Sequence, residues 1–129
     1  MKYFSTRGNS EALNFVDVLT SGTAKDGGLY VPENFPKFSK KEIADFETAS
    51  YQDLASHLLY PYVEGFLSKN DFEQVVKNAY DSFTIPEVVK LVETKNIDHV
   101  LTLLHCTTLN FKDIAKNIPT KRNDHQLRE

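Results

Sequence analysis

The sequence predicts an α+β domain, a helical middle with short strands at both ends, and three observations carry that reading. The first is a long apolar stripe, Phe72, Val75, Val76, Ala79, Tyr80 and Phe83, whose spacing of three and four is that of one helix face. The second is a pair of short aromatic or branched segments near the start, Met1 to Ser5 and Leu29-Tyr30-Val31, divided by turn residues. The third is His99 to Leu104, a short branched run late in the chain that reads as a buried strand. Strands gathered at the ends, with helices between, indicate α+β rather than a regular βαβ alternation.

Taken in order, Met1 to Ser5 is expected to be an edge strand, and Arg7-Gly8-Asn9 turns the chain. Ala12, Phe15, Val16 and Leu19 then repeat with helical spacing, with Asn9 or Ser10 as N-cap and Gly22 as the stop. Asp26-Gly27-Gly28 is a turn, a ligand loop only second, leading into the strand 29–31, which Pro32 ends. Asn34 to Lys37 is a loop.

Three helices follow. Ser39-Lys40-Lys41-Glu42 fits a capping box, with Ile43 and Phe46 facing inward behind it. Ser50 caps the next, whose stripe of Tyr51, Leu54, Ala55, Leu58 and Leu59 runs up to Pro61. Ser68 caps the third, which carries the long stripe. Pro86 separates it from a strand at Val88 to Val92, and Asn96-Ile97-Asp98 turns into the strand 99–104. Phe111, Ile114, Ala115 and Ile118 mark a last short helix, broken by Pro119, and the polar tail beyond is expected to be disordered.

At 129 residues the chain is long enough to bury a core as one domain. Its net charge of −3 gives no reason to expect nucleic acid or an anionic membrane as partner, and no apolar run would span a bilayer. The single cysteine, Cys106, cannot form an internal disulfide, which fits a reducing compartment and a cytoplasmic protein. Cys106 reads as a small packing residue, with reaction beside His105 as the alternative, and His57, His99, His105 and His125 lack metal-ligand spacing with it. Ser5-Thr6-Arg7-Gly8 reads as a solvated stretch first and an anion site second.

The most informative stretch is His105-Cys106-Thr107-Thr108-Leu109-Asn110-Phe111-Lys112-Asp113, polar residues where a strand gives way to a helix. It places Lys112 at or near a helix N-terminus, where cations are disfavoured, so the position calls for a reason. The stretch resembles the pyridoxal-phosphate (PLP) lysine motif of the threonine synthases, His-Gly-Pro-Thr-Leu-Ala-Phe-Lys-Asp. It matches at His105, Thr108, Leu109, Phe111, Lys112 and Asp113 and departs at Cys106, Thr107 and Asn110. Lys2 to Gly8 and Asp26 to Pro32 are similar to that family's amino-terminal domain, in the right order.

The resemblance implies a PLP-dependent lyase of fold type II that turns O-phospho-L-homoserine and water into L-threonine and phosphate. It implies Lys112 as the Schiff-base lysine, with Phe111 beside it at the cofactor. It also implies residues 1–95 as a threonine synthase N-terminal-like domain, 96–118 as the first strand–helix piece of the PLP domain, and 119–129 as tail. The family's catalytic domain is essentially absent from this sequence. Its last glycine is Gly65, so no glycine-rich phosphate loop follows Lys112. The chain alone is therefore expected neither to retain PLP nor to catalyse. The readings left open are a docking or assembly module, covered by a separately encoded catalytic domain or by self-association, the relic of a decayed gene, and a lyase for another phosphorylated amino acid.

Overall fold

The computed structural model describes residues 1–85, 87–94, 99–103, 105, 110 and 112–118. Its elements are β1 (Tyr3–Ser5), α1 (Phe15–Ser21), β2 (Tyr30–Pro32), α2 (Lys40–Asp45), a 3-10 turn (Phe46–Thr48), α3 (Tyr51–Val63), α4 (Lys69–Tyr80), β3 (Lys90–Val92) and β4 (Val100–Thr102). Residues 113–118 are also helical. This is the expected α+β layout, with one two-stranded antiparallel sheet early and another late. The chain divides into two compact units, Met1–Glu47 with His57–Lys69, and Thr48–Ser56 with the residues from Asn70 onward.

In the first unit, β1 pairs with β2 in the register Tyr3↔Pro32, Phe4↔Val31, Ser5↔Tyr30. Pro32 ends the strand as its own last residue, paired with Tyr3, rather than as the first residue beyond it. The bonds Thr6 N–H to Leu29 O and Glu33 N–H to Lys2 O flank the ladder at 2.8 Å each and put Tyr3↔Pro32 at a non-hydrogen-bonded position. A proline there gives up no ladder bond. On its other edge Tyr3 exchanges both backbone bonds with Leu13, at 2.9 and 3.0 Å. That bridge corrects the helix start: Leu13 is held extended, so α1 cannot begin at Asn9 or Ser10, and Asn14 is the cap, its Oδ1 accepting from Asp17 N–H at 3.0 Å. Gly22 closes α1 at φ 71°, where a side chain would be strained.

Tyr3 is buried, its ring beside Phe15 and that of Phe15 beside Phe66, with centroids 6.3 and 6.1 Å apart. Its hydroxyl donates to Tyr62 O at 2.9 Å. The capping box at α2 forms as read, with Glu42 N–H on Ser39 Oγ at 3.2 Å and Ser39 N–H on Glu42 Oε2 at 2.7 Å. Those bonds, the backbone one first, hold the Glu42 carboxyl below its usual range. Ile43 does not face inward; it is 58% exposed. The inward contact is made by Phe46 instead, the residue that follows α2, packed on Phe38 and His57.

Ser50 caps α3, accepting from Asp53 N–H at 3.1 Å. The helix continues through Pro61 to Val63 instead of stopping before it, so the ring's missing N–H interrupts the ladder within the last turn and a half.

In the second unit, α4 begins directly after Ser68 and buries Phe72, Val75, Val76, Ala79 and Tyr80, as its stripe requires. Phe83 is buried just beyond. Tyr80 packs edge-on against Tyr51 and Phe83, with centroids 5.1 and 5.2 Å away, and burial pushes its phenol pKa up. β3 is shorter than the run 88–92. Val88, almost fully buried, has φ 61°, and Val89 N–H reaches back to Glu87 O at 2.6 Å, so a tight turn occupies the expected first strand residues.

β3 and β4 pair as Lys90↔Thr102, Leu91↔Leu101 and Val92↔Val100. The strand expected to be buried is not: Leu91 is 58% and Leu101 56% exposed, with Val92 and Val100 partly exposed behind them. Branched composition marks a strand, but only neighbouring elements cover it, and two strands cannot cover both of their own faces. Pro86, the turn 96–98, Leu104, Cys106 and the tail from Pro119 lie outside the described residues.

Candidate functional site

The lysine stretch is built on the end of α4. Tyr80 Oη donates to Ile114 O at 2.8 Å, and Asn117 Nδ2 donates to Ala79 O at 3.2 Å, so the helical residues 113–118 are tied to the last turn of α4. Lys112 immediately precedes them and is exposed. Its carbonyl accepts from Ala115 and Lys116 N–H at 3.2 and 2.9 Å, which makes it the first residue of the helical ladder. Asn110 Oδ1 accepts from Lys112 N–H at 3.0 Å and Asn110 O from Asp113 N–H at 2.9 Å. Asn110, a departure from the motif, is thus a local cap. Phe111 and residues 106–109 lie outside the described residues.

These residues fit one part of PLP binding and lack another. An exposed amine at the start of a helix is open to an aldehyde. The phosphate needs open backbone N–H groups, and those of Lys112 and Asp113 are already bonded to Asn110. Of the described residues Lys112 offers an amine to the cofactor's aldehyde, and no glycine follows it to form a phosphate loop.

His105 enters the site from the other side. Its carbonyl accepts from Thr84 N–H at 2.8 Å and Thr84 Oγ1 at 3.0 Å, and its Nε2 lies 3.0 Å from Thr102 Oγ1. Sequence reading missed Thr84, Thr102 and Tyr80 as partners of this stretch. No spacing signals Thr84 or Tyr80, because contacts between residues 21 and 34 positions apart are set by the fold, whereas Thr102 stands only three residues before His105.

The Ser5-Thr6-Arg7-Gly8 stretch does hold an anion, but one from its own chain. Ser5 Oγ donates to Asp26 Oδ1 at 2.7 Å, Gly28 N–H to Oδ1 and Asn9 N–H to Oδ2 at 2.9 Å each, and Arg7 Nη1 to Asp26 O at 3.2 Å. The Ser5 hydrogen bond, then the backbone ones, hold the Asp26 carboxyl below its usual range. The Asp-Gly-Gly turn is therefore a closed structural knot. A polar groove of about 430 Å3 lined by Ser50, Asp53, Ser56, Asn70, Glu73 and Lys77 includes no residue of the lysine stretch. Among the described residues no group of three His, Cys, Asp or Glu side chains is placed to hold a metal. No helix among them is long and apolar enough to cross a membrane.

Residues 2–80 match the family model described as threonine synthase N terminus. A threonine synthase of Pseudomonas aeruginosa is 42% identical over 127 residues, covering 98% of this chain and 27% of that protein. A threonine synthase-like 2 protein of Rattus norvegicus is 36% identical over 116 residues, 89% of this chain and 24% of its own length. The crystal structure of PLP-bound threonine synthase from Brucella melitensis superposes with a TM-score of 0.91 at 40% identity, covering 99% of this chain and 28% of that one. The chain spans about a quarter of the length of the relatives it matches. With the family model covering more than half of its residues, the chain belongs to the threonine synthase family.

Proposed function

We propose that this chain carries the cofactor-attaching lysine of a PLP-dependent lyase that converts O-phospho-L-homoserine and water to L-threonine and phosphate, and that its residues alone do not complete the site. The observation that supports the reading is Lys112, exposed at the first residue of a helix and set in the motif residues His105 to Asp113. Bound there, PLP supplies an electron sink for a carbanion on the amino acid substrate. Lys112 Nζ would hold the cofactor by its aldehyde and would supply a base to hold and move a proton of the substrate. The Brucella melitensis relative is PLP-bound, in keeping with this cofactor.

The exposed leucines and valines of β3 and β4 favour a companion reading, in which the ribbon is a docking surface for the polypeptide that completes the PLP domain. Apolar residues on both faces are the pattern of a strand pair inside a larger sheet. The reading makes this chain cytoplasmic and, by itself, an assembly module without activity.

The test is PLP titration with borohydride trapping and mass mapping, run on the chain alone and with the part of the Pseudomonas aeruginosa relative that follows the matched residues. Alone, the adduct should spread over exposed lysines. With the added polypeptide it should concentrate on Lys112, and phosphate release from O-phosphohomoserine should appear and vanish with Lys112→Ala. A stoichiometric adduct confined to Lys112 in the isolated chain would refute the incomplete site. An adduct that avoids Lys112 in the mixture would refute its role. Self-association of the isolated chain that persists in the mixture, and that Leu91→Ser with Leu101→Ser abolishes, would give the ribbon to a second copy instead.

A further inference from the structure

We propose that His105 is a positioning residue for the lysine stretch, fastened on its backbone by Thr84 and on its ring by Thr102. A threonine hydroxyl has one hydrogen. That of Thr102 goes to Lys90 O, 2.9 Å away across the β3–β4 pair. Thr102 Oγ1 is therefore the acceptor in its 3.0 Å contact with His105, and Nε2 carries the proton. This fixes the neutral imidazole as the Nε2–H tautomer and leaves Nδ1 as its lone-pair nitrogen. The His105 carbonyl takes two donors from one residue, Thr84 N–H at 2.8 Å and Thr84 Oγ1 at 3.0 Å, so both of its lone pairs are engaged.

The result is a clasp from the loop after α4, through His105, to the β3–β4 ribbon. Seven residues further on, Lys112 is held from its other side by Tyr80 on Ile114 O and Asn117 on Ala79 O. His105 and the helical residues after Lys112 are thus each tied to the same region, the end of α4 and the loop that follows it. Two ties to one region place the backbone of His105 and of the helix that Lys112 opens, and placement of this kind is what precise attachment of a cofactor needs. The importance of this placement rests on Lys112 being the attaching lysine. The clasp itself is read from hydrogen bonds alone.

The experiment uses the full chain labelled with 15N. Long-range 15N–1H correlation of the His105 ring reads the tautomer, and amide exchange reads the first helical turn after Lys112. The wild-type ring should be protonated at Nε2. Thr102→Val should abolish that preference and accelerate exchange of the Ala115 and Lys116 amides, which bond to Lys112 O, by about tenfold. Thr102→Ser, which keeps the hydroxyl, should restore both, while the Val75 and Val76 amides of α4 change by less than about twofold in either variant. A wild-type His105 protonated at Nδ1 would overturn the proposal. So would unchanged Lys116 exchange in Thr102→Val. Should Thr102→Val not fold, Thr84→Val against Thr84→Ser reads the carbonyl side of the clasp by the same amides. A clasp that fails while PLP still traps on Lys112 removes this inference alone. A clasp that holds while PLP avoids Lys112 removes the functional reading alone.

Discussion

Gly28→Ala tests the Asp26 knot at its tightest point. Gly28 is buried and does not have the positive φ found at Gly27, so an L-residue could adopt its backbone conformation. At an open position of that kind, alanine for glycine stabilises by about 0.4–1 kcal/mol, because it restricts the unfolded chain. Here the new Cβ would overlap Ser5 Oγ. Ser5 is itself buried, donates to Asp26 Oδ1 at 2.7 Å and accepts from Arg7 N–H at 3.2 Å, so it cannot swing aside without breaking both bonds. Overpacking of this kind costs about 1–3 kcal/mol, and losing the serine hydrogen bond adds about 1. The net loss of about 2–3 kcal/mol should lower the urea midpoint of this small protein by about 1–2 M. In a Ser5→Ala background the offending oxygen is gone, and the next atoms, Asp26 Oδ1 and Thr6 Oγ1, lie 3.1 Å away. There Gly28→Ala should fall within about 1 kcal/mol of neutral, giving a coupling energy of about 2 kcal/mol between the two positions. Equal losses in both backgrounds would show that Ser5 is not the obstacle and would refute the argument.

Asp26 also predicts a pH effect. Its folded pKa lies below the ordinary aspartate value of 3.8, so its contribution is fully present above that value and is lost as pH falls through the folded one. The urea midpoint should therefore drop below about pH 4, and Asp26→Asn should lower the midpoint at pH 7 and flatten the acid limb; parallel profiles for the two proteins would count against the knot. Val88, β-branched at φ 61°, should invert the usual order of truncations. Val88→Ala loses about 1.6 kcal/mol of burial and keeps the strain, whereas Val88→Gly relieves about 1–2 kcal/mol of it, so glycine should be no worse than alanine in thermal melts. A glycine variant clearly less stable than the alanine one would contradict the strained turn. Tyr80→Phe deprives Ile114 O of its donor and should cost about 1 kcal/mol in urea unfolding, with faster exchange confined to residues after Lys112. Exchange unchanged there would sever the tie to α4.

The capping box at Ser39, the cap at Ser50 and the buried face of α4 were legible in the sequence because each is decided within four residues. A side chain that reaches its own helix N-terminus, or an apolar stripe at helical spacing, needs no knowledge of the rest of the molecule. The motif stretch was legible for a different reason: its residue types in order are specific enough to show kinship without any geometry. The start of α1 was not legible, because Leu13 is held by Tyr3, ten residues back. Pro32 as the paired last residue of a strand likewise depends on which ladder positions carry bonds, and the exposure of β4 depends on what stands beside it.

By itself, then, the sequence determined the helix faces, their caps, the α+β order of elements and the lysine motif, all encoded over a few neighbouring residues. Only the tertiary structure decided that the anion held by Ser5 is Asp26, 21 residues on. It alone brought Thr84 to His105, and left the leucines of β3 and β4 uncovered. Hydrogen bonds and burial between distant residues follow from where the backbone places them, and that placement is a property of the whole fold.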